Sequence, residues 1–345
     1  MTSLLGVSTA LPPHRVHQAE AVEIARRIYA ARPELLKLLR VFGSSGVEQR
    51  YCAFPPEYYQ RERGFEERNR DFIEQASLLA EKAARTCLDG AGVRATDIDH
   101  LLLVTTTGLA TPSVDALLVS RLGLRSDVRR WPLFGLGCAG GAGALTRACD
   151  LLDAAPGAKA LVVAVELCGQ VFSTKAAKPT DVIGAALFGD GAAAAVLGRG
   201  GGPSVIARRT VLYEGTQHLM GWAFTGDGMR LVLSKEVTDF ISEKLKPVVD
   251  RFLSDHQVAA KDIAHWALHP GGRRIIETYH EVFGLSDNDL RWTRGSLARV
   301  GNLSSASVLF ILSDLLESGQ AKPGDRGVMI ALGPGFASEL LLLQW

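Results

Sequence analysis

The sequence predicts an α/β fold built from two repeated halves. Short apolar runs, typical of buried strands, alternate with longer helical patterns along the chain. Residues 97–100 (Asp-Ile-Asp-His) precede one such strand, and the similar residues 262–265 (Asp-Ile-Ala-His) precede another, 165 positions later. Cys138 and Asn302, 164 positions apart, each follow a glycine and open a helix. We therefore expect internally duplicated αβαβα layers with mostly parallel sheets.

Composition excludes several classes of protein. The 345 residues are 47% hydrophobic and 22% charged, as in ordinary globular proteins. The net charge is +1 and no basic stripe occurs, so we expect no nucleic-acid partner. No apolar run reaches the ~18 residues of a membrane span, and no signal peptide is recognisable. Five scattered cysteines without metal-ligand spacing predict reduced thiols in the cytoplasm.

The elements of the first half follow from periodicity and turn residues. A mixed-charge segment at 61–70 is interpreted as a solvated helix face or loop. Glycine-rich residues 198–203 form the most linker-like stretch, so we place a boundary between halves 1–202 and 203–345. The predicted helices span 17–40, 71–90, 113–122 and 144–152, and the predicted strands 98–105, 160–165 and 188–197.

Cys138 is the candidate nucleophile. It lies in a glycine-dense segment directly before a helix, where the positive end of the helix dipole favours a thiolate. Glycines around the sulfur let a substrate approach the backbone closely. A buried structural cysteine explains the same stretch equally well, so this stretch leaves both interpretations open.

The same stretch contains a misleading motif. Gly135-x-Gly137-x-x-Gly140 matches the dinucleotide-binding fingerprint, and Glu166 could serve as its ribose-binding acid. That fingerprint normally opens a βαβ unit, whereas here about forty residues of strand and helix pattern precede it in the same domain. A cysteine also has no role in holding pyrophosphate. We therefore disfavour a nicotinamide enzyme.

His269 adds a second reactive group. It follows the apolar run 266–268, at the kind of strand end where the sites of α/β proteins gather. A single histidine there is more often structural. Its position between the helix starts at Cys138 and Asn302 favours a functional role.

These residues belong to motifs that resemble a known family. The motifs are Gly137-Cys138-Ala139-Gly140-Gly141, Phe188-Gly-Asp-Gly191, Trp266-Ala-Leu-His269-Pro-Gly-Gly272, Gly301-Asn302-Leu-Ser304-Ser305-Ala306 and Gly333-Pro334-Gly335-Phe336. From about residue 17 to its end, the chain resembles the type III polyketide synthases of the chalcone synthase superfamily, which have the thiolase fold. Ketoacyl-ACP synthase III enzymes share the Cys, His and Asn but not usually the His-Pro-Gly-Gly or Gly-Pro-Gly motifs, and rank second.

The resemblance implies a mechanism. Cys138 would take an acyl group from coenzyme A, with His269 stabilising its thiolate. His269 and Asn302 would donate hydrogen bonds to the thioester oxygen of malonyl-CoA while it loses CO₂. It implies coenzyme A thioesters as substrates, no metal or redox cofactor, and a homodimer. A non-catalytic acyl-CoA-binding homologue would need none of these three residues, which argues against that alternative.

The resemblance also assigns pocket residues, with departures from the plant enzymes. Phe188 matches a gatekeeper phenylalanine, whereas the second gatekeeper is Leu231 and a cavity glycine is replaced by Trp222. Together with residues 107–113, the Met-Gly-Trp222 segment resembles bacterial alkylresorcinol and alkylpyrone synthases, which take long fatty acyl starters. Plain core packing is the alternative for each position.

Further positions complete the expected site. Thr111 replaces a methionine that crosses the dimer interface, and Thr106 occupies the position of an extra cysteine in tetrahydroxynaphthalene synthases. Cys168 and Ser304 are expected to line the cavity. On the other side of the site, Lys37 and Arg40 match cations that bind coenzyme A phosphates, although a third, a lysine in the family, is Ser44 here.

Overall fold

The structure is a computed structural model that describes residues 1–171, 178–226 and 228–345. Its strands are β1 Thr2–Ala10, β2 His14–His17, β3 Gln49–Cys52, β4 His100–Val104, β5 Arg129–Leu133, β6 Ala160–Leu167, β7 Asp190–Gly198, β8 Ser204–Leu212, β9 Met220–Thr225, β10 Gly228–Leu233, β11 Ile263–Leu268, β12 Arg326–Gly333 and β13 Ala337–Gln344. Its α-helices are α1 Gln18–Ile28, α2 Pro33–Leu36, α3 Val41–Ser44, α4 Pro56–Gln60, α5 Phe65–Ala91, α6 Val114–Leu122, α7 Gly140–Ala154, α8 Pro179–Leu187, α9 Val237–Phe240, α10 Lys246–Asp255, α11 Arg273–Phe283, α12 Arg291–Val300 and α13 Ser307–Glu317.

Nine strands form one sheet in the order β11-β12-β13-β8-β1-β7-β6-β4-β5. The pairs β4–β5, β4–β6 and β11–β12 are parallel, as expected. The pairs between them, from β6–β7 through β1–β8 to β12–β13, are antiparallel. The sheet is therefore mixed, with its parallel pairs in the outer part of each half.

The strand pairing confirms the internal duplication. In the first half β4, β6, β7 and β1 are consecutive neighbours, and in the second half β11, β12, β13 and β8 repeat that order with the same directions. The halves meet where Thr2 of β1 pairs with Val205 of β8 and Ser3 with Ser204. Because β1 and β8 are antiparallel and equivalent, the joint relates the halves by an approximate two-fold axis.

Helices α7 and α13 lie in the core between strands of both halves. Residues 308–312 of α13 are all buried, and so are residues 140–146 of α7. A helix that is buried on nearly all sides belongs to the middle layer of a stack. The two helix starts approach closely, because a Cβ added at Gly141 would lie 2.2 Å from the carbonyl oxygen of Ser305. Only a residue without a side chain fits there.

Two helix boundaries differ from the sequence prediction. Helix α5 begins at Phe65 instead of residue 71, so six of the ten residues in the mixed-charge segment 61–70 form its first turns, in agreement with the helix-face interpretation. Helix α7 begins at Gly140, so three glycines predicted in a turn lie in its first turns. Intrinsic propensity disfavours glycine in a helix, and tertiary packing against Ser305 overrides it. In the described residues, no helix is both long and apolar enough to cross a membrane.

Candidate active site

Cys138 lies in the 3-10 turn Gly137–Ala139 that leads into α7. Its side chain is 8% exposed, and its Sγ is 3.6 Å from Oγ of Ser304. Ser304 lies in the equivalent 3-10 turn, Ser304–Ala306, which leads into α13. The two helix starts therefore face each other, as the duplication predicted.

The orientation of the Asn302 amide is fixed by its neighbours. Its Oδ1 accepts hydrogen bonds from the backbone N–H of Ser304 at 2.8 Å and from Oγ of Ser307 at 3.3 Å. A backbone N–H can only donate, so the atom facing Ser304 must be the amide oxygen. The NH₂ group on the other side is left to donate, which suits a group that binds an oxyanion.

His269 directly follows β11 and is 3% exposed. Its backbone N–H donates to the carbonyl of Ile330 at 2.8 Å, and its carbonyl accepts from the Tyr279 hydroxyl at 3.3 Å. Its Nδ1 is buried, and no described residue is hydrogen-bonded to it. The backbone of His269 is thus firmly held while this ring nitrogen is left without a protein partner.

Topology brings His269 to the same place as Cys138. Strands β11 and β12 are parallel, so their carboxyl ends lie at one edge of the sheet. Gly333, at the end of β12, packs on Ala139, since a Cβ there would lie 2.7 Å from the Ala139 nitrogen. Tyr279, which donates to the His269 carbonyl, has a pKa raised first by burial and then by the nearby Cys138, so it also lies close to that residue. These contacts place the end of β11, and with it His269, on the side of the sheet where α7 begins.

Burial opposes both charges of the expected thiolate–imidazolium pair. It raises the pKa of Cys138 to about 12 and lowers the pKa of His269 to about 3. Burial therefore acts against the effect expected of the helix dipole, and the predicted Cys138 thiolate stays a prediction. Proton transfer from the thiol to the imidazole would have to be stabilised by the attraction between the two resulting charges.

Glu166 forms a fully buried network beside Cys138, in the first half of the chain. Its carboxylate accepts from Thr106 N at 3.0 Å, Thr106 Oγ1 at 3.1 Å, Thr107 Oγ1 at 2.8 Å and Ser305 Oγ at 2.6 Å. Burial raises its pKa, and these donors act in the opposite direction. Thr106, expected to line the cavity, is therefore committed to Glu166.

The sequence reasoning considered Glu166 only as a ribose-binding acid. A signal was available, because a carboxylate ending the apolar run 161–165 must meet several donors if its strand is buried. The donors themselves come from residues 105, 106, 107 and 305, and their proximity depends on the fold.

Three predicted pocket residues lie together beside α8. Trp222 of β9 and Leu231 of β10 are directly paired across a two-stranded hairpin. The Trp222 and Phe188 rings are 6.4 Å apart between centroids, tilted by 40°. Phe188 and Trp222 are half-buried and Leu231 is 9% exposed, so this group offers an apolar surface.

The remaining predicted residues differ in exposure. Cys168 is fully buried, and burial together with the nearby Glu166 raises its thiol pKa well above the usual range. Thr111 is exposed on this chain. Lys37 and Arg40 are exposed at the two ends of one 3-10 turn, where Leu39 points into the core. Their role in binding coenzyme A stays a prediction.

The cluster can act as a nucleophile with neighbouring hydrogen-bond donors, and it offers no metal chemistry. Within residues 1–171, 178–226 and 228–345, no group of three His, Cys, Asp or Glu side chains could hold a metal ion. All five cysteines are free and buried.

Comparison with known proteins matches both halves of the chain. The N-terminal domain model of the chalcone and stilbene synthases matches residues 1–201, and the C-terminal domain model matches residues 204–345. Among curated proteins, a 1,3,6,8-tetrahydroxynaphthalene synthase of Streptomyces peucetius is 41% identical over all of this chain and 93% of its own length. An α-pyrone synthesis polyketide synthase-like protein, Pks18, of Mycobacterium tuberculosis is 32% identical over 98% of this chain and 90% of its own length.

Among solved structures, the 1,3,6,8-tetrahydroxynaphthalene synthase of Streptomyces coelicolor superimposes with a TM-score of 0.95 at 32% identity. The match covers 99% of both chains. The predicted thiolase-like α/β fold is thereby confirmed.

Proposed function

The chain belongs to the chalcone and stilbene synthase family, the type III polyketide synthases, and on that premise we propose that Cys138, His269 and Asn302 carry out decarboxylative condensation of malonyl-CoA. Members of this family are acyl-transferring condensing enzymes that use coenzyme A thioesters and need no further cofactor. The observation that supports this assignment of roles is that Cys138 and the oriented Asn302 amide lie at the facing starts of two duplicated helices, while His269 follows β11, whose neighbour β12 ends against Ala139.

The first step is loading of the starter. The Cys138 sulfur attacks the carbonyl carbon of an acyl-CoA, the thiol proton passes to His269, and coenzyme A leaves as the thiol. Burial of both residues makes the charged pair costly, so it is formed at the moment of reaction instead of being stored.

The second step is decarboxylation and condensation. Loss of CO₂ from malonyl-CoA places negative charge on the thioester oxygen of the resulting enolate. The Asn302 NH₂ group is held in one orientation by Ser304 and Ser307, so it can stabilise that oxygen without reorganising. The enolate carbon then attacks the acyl carbonyl on Cys138, the carbon–sulfur bond breaks with Cys138 leaving as the thiolate, and the chain, now on coenzyme A, is two carbons longer.

We propose a medium- or long-chain fatty acyl starter and alkylpyrone or alkylresorcinol products. Trp222 fills space that a bulky aromatic starter would need, and Leu231 makes the region beside Phe188 aliphatic. Each methylene buried against such a surface contributes about 0.8 kcal/mol of binding. The name of the Mycobacterium relative, which refers to α-pyrone synthesis, supports this product class.

A second candidate is a tetrahydroxynaphthalene-type synthase that starts from malonyl-CoA. It is favoured by the 41% identity to the Streptomyces peucetius enzyme and by the superposition on the Streptomyces coelicolor enzyme. Against it stands Thr106, because the hydroxyl at this position is bonded to Glu166 and no cysteine is present there.

One experiment separates the two candidates. The protein is incubated with ¹³C-labelled malonyl-CoA and unlabelled acyl-CoAs from acetyl to stearoyl, and the products are identified by mass. If the starter is a fatty acyl-CoA, the products should carry an unlabelled alkyl chain. The kcat/KM should rise with starter length and should be low for p-coumaroyl-CoA. Fully labelled products formed in preference to these would assign malonyl-CoA as the starter.

A matched pair of variants tests the pocket. Trp222→Gly should raise activity with p-coumaroyl-CoA relative to long-chain acyl-CoAs, because it removes the indole beside Phe188. Phe224→Gly is the control, because Phe224 lies on the same strand but is 55% exposed. An equal shift in both variants would contradict the proposed role of Trp222.

We also propose a cytoplasmic homodimer in which Lys37 and Arg40 bind the phosphates of coenzyme A. The exposed Thr111 and the half-exposed Trp131 of edge strand β5 lie on surface that a partner subunit would cover. Free cysteines suit a reducing compartment.

The double variant Lys37→Ala with Arg40→Ala tests the proposed coenzyme A site. It should raise the KM for malonyl-CoA more than it lowers kcat.

A further inference from the structure

Arg50 is a buried arginine outside the predicted catalytic trio. It lies on β3, paired with Val16 of β2, and is 4% exposed. Burial lowers its pKa to about 10, and the nearby Cys52 and Asp190 act in the opposite direction, so Arg50 carries its charge at neutral pH. A buried charge needs several acceptors to offset the loss of water.

Those acceptors are the carbonyl groups at the end of helix α8. Nη1 of Arg50 donates to the carbonyl oxygens of Ala185 and, at 2.9 Å, Phe188, while Nη2 donates to that of Ala186 at 2.8 Å. Nη2 also donates to Oε1 of Gln18, which orients the guanidinium. A cation at a helix C-terminus satisfies carbonyls that have no partner within the helix.

The remaining carbonyl at this helix end, that of Leu187, is hydrogen-bonded to the Asn302 segment. The Leu187 carbonyl accepts from Asn302 N at 2.8 Å, and the Asn302 carbonyl accepts from Gly189 N at 3.0 Å. The two segments are so close that a Cβ added at Gly301 would lie 2.8 Å from the Leu187 oxygen. Residues 187–189 are therefore held between Arg50 on one side and the Asn302 backbone on the other.

We propose that Arg50 is a positioning residue for the malonyl-CoA step: by fixing the end of α8 it sets the place of Phe188 and, through two backbone hydrogen bonds, of Asn302. Arg50 acts through the backbone of Phe188 and Asn302, so decarboxylation should depend on it more strongly than loading of Cys138 does. The inference rests on the proposed roles of Asn302 and Cys138.

The test compares two half-reactions in Arg50→Met. Decarboxylation of malonyl-CoA should slow by about 10- to 100-fold, because displacing an oxyanion donor by a fraction of an ångström is costly. Acyl loading of Cys138, followed by intact-protein mass, should change less than about 3-fold. A mostly apolar cavity of about 130 Å³ borders Arg50, so water can reach the freed carbonyls and the variant should fold.

Arg63→Met is the matched control. Arg63 lines the same cavity and donates to a backbone carbonyl, that of Tyr58, but does not touch α8. Its two half-reactions should stay within about 2-fold of the parent protein. Unchanged decarboxylation in Arg50→Met, or loading reduced as much as decarboxylation, would overturn the inference.

If Arg50→Met does not fold, two milder variants test the same inference. Arg50→Lys keeps the positive charge but loses the two-pronged guanidinium that bonds several carbonyls at once. Gln18→Leu removes the amide oxygen that orients this guanidinium. Both should slow decarboxylation selectively, by about 3- to 10-fold, and wild-type decarboxylation in both would refute the inference. Asn302→Ala is measured in parallel: if it decarboxylates normally the proposed function fails, whereas normal Arg50 variants beside an impaired Asn302→Ala refute only the role of Arg50.

Discussion

The two halves of the molecule share one framework but use the polar residues at its strand ends differently. In the first half, β4 is followed by Thr106 and Thr107, whose hydroxyls are bonded to Glu166. In the second half, the equivalent strand β11 is followed by His269, whose Nδ1 has no partner among the described residues. Duplication thus produced one strand end with satisfied polar groups and one with a group left for a substrate.

The helix starts show the same contrast. Cys138, before α7, contributes a thiol surrounded by small residues, and its Sγ lies 3.6 Å from the Ser304 hydroxyl of the other half. Asn302, before α13, contributes an amide whose oxygen is hydrogen-bonded to Ser304 and Ser307 and whose NH₂ group is left to donate. The first half therefore supplies the thiol and the second half supplies the imidazole and the amide, so neither half is expected to be active alone.

The largest expected effect concerns the nucleophile. Cys138→Ala should lower acyl loading and product formation by at least about 10⁴-fold, because no other group takes over its covalent role. Intact-protein mass spectrometry after incubation with an acyl-CoA measures loading. Cys149→Ala, a change in helix α7 that follows Cys138, should leave acyl loading of Cys138 normal. An acyl group found on the Cys138→Ala protein would show that the nucleophile lies elsewhere.

The next effect concerns the donor from the second half. Asn302→Ala should slow malonyl-CoA decarboxylation by about 10²- to 10³-fold, the usual cost of one oxyanion donor, while loading of Cys138 stays within a few-fold. His269→Ala should impair both steps, since His269 also receives the thiol proton. Asn288→Ala, at an exposed asparagine, should change neither step. The division of roles would be wrong if Asn302→Ala and His269→Ala reduced loading equally.

Glu166 should affect stability more than chemistry if the first-half strand end is structural. Glu166→Ala leaves several buried donors without an acceptor, so the free energy of unfolding should fall by about 3 kcal/mol or more. Urea unfolding measures the change. Glu277→Ala removes only an exposed carboxylate paired with Arg273 and should cost less than about 1 kcal/mol. Equal losses in the two variants would contradict the structural role.

The smallest expected effect is a dependence of stability on pH. Burial lowers the pKa of folded His269 to about 3, whereas the unfolded chain has the ordinary histidine value near 6.5. Between these values the unfolded state binds more protons, so stability falls as the pH drops below about 6.5. His269→Gln should flatten the stability–pH curve there by more than about 1 kcal/mol, since one pKa unit corresponds to about 1.4 kcal/mol. An unchanged slope in His269→Gln would contradict this prediction.

Much of this comparison could be predicted from the sequence. The duplication, the α/β class and the two helix starts followed from repeated segments, because a repeated unit leaves the same pattern of apolar residues twice. Cys138 and His269 were each ambiguous alone, and their placement relative to Asn302 and the motifs around them favoured a functional role. The antiparallel joint of β1 and β8 was not predictable, since strand direction depends on crossovers that periodicity does not record.

Other parts of the site depended on contacts between distant residues. The five donors to Glu166 and the acceptors of Arg50 come from segments far apart in the chain, so spacing gave no indication of them. Likewise, the high pKa of Cys138 reflects burial in the assembled core, whereas local sequence suggested only the helix dipole. Long-range burial and hydrogen bonding are therefore what the structure added.

The hairpin of β9 and β10 has a consequence for how such enzymes diversify. It forms a two-stranded sheet of its own, separate from the nine-stranded sheet that positions Cys138 and His269. Because Trp222 and Leu231 are carried on this appended module, mutations there can reshape the space beside Phe188 and leave the frame of the reacting groups intact. On the proposed pocket role of Trp222 and Leu231, the substrate range could change through single hairpin substitutions without change to the chemistry.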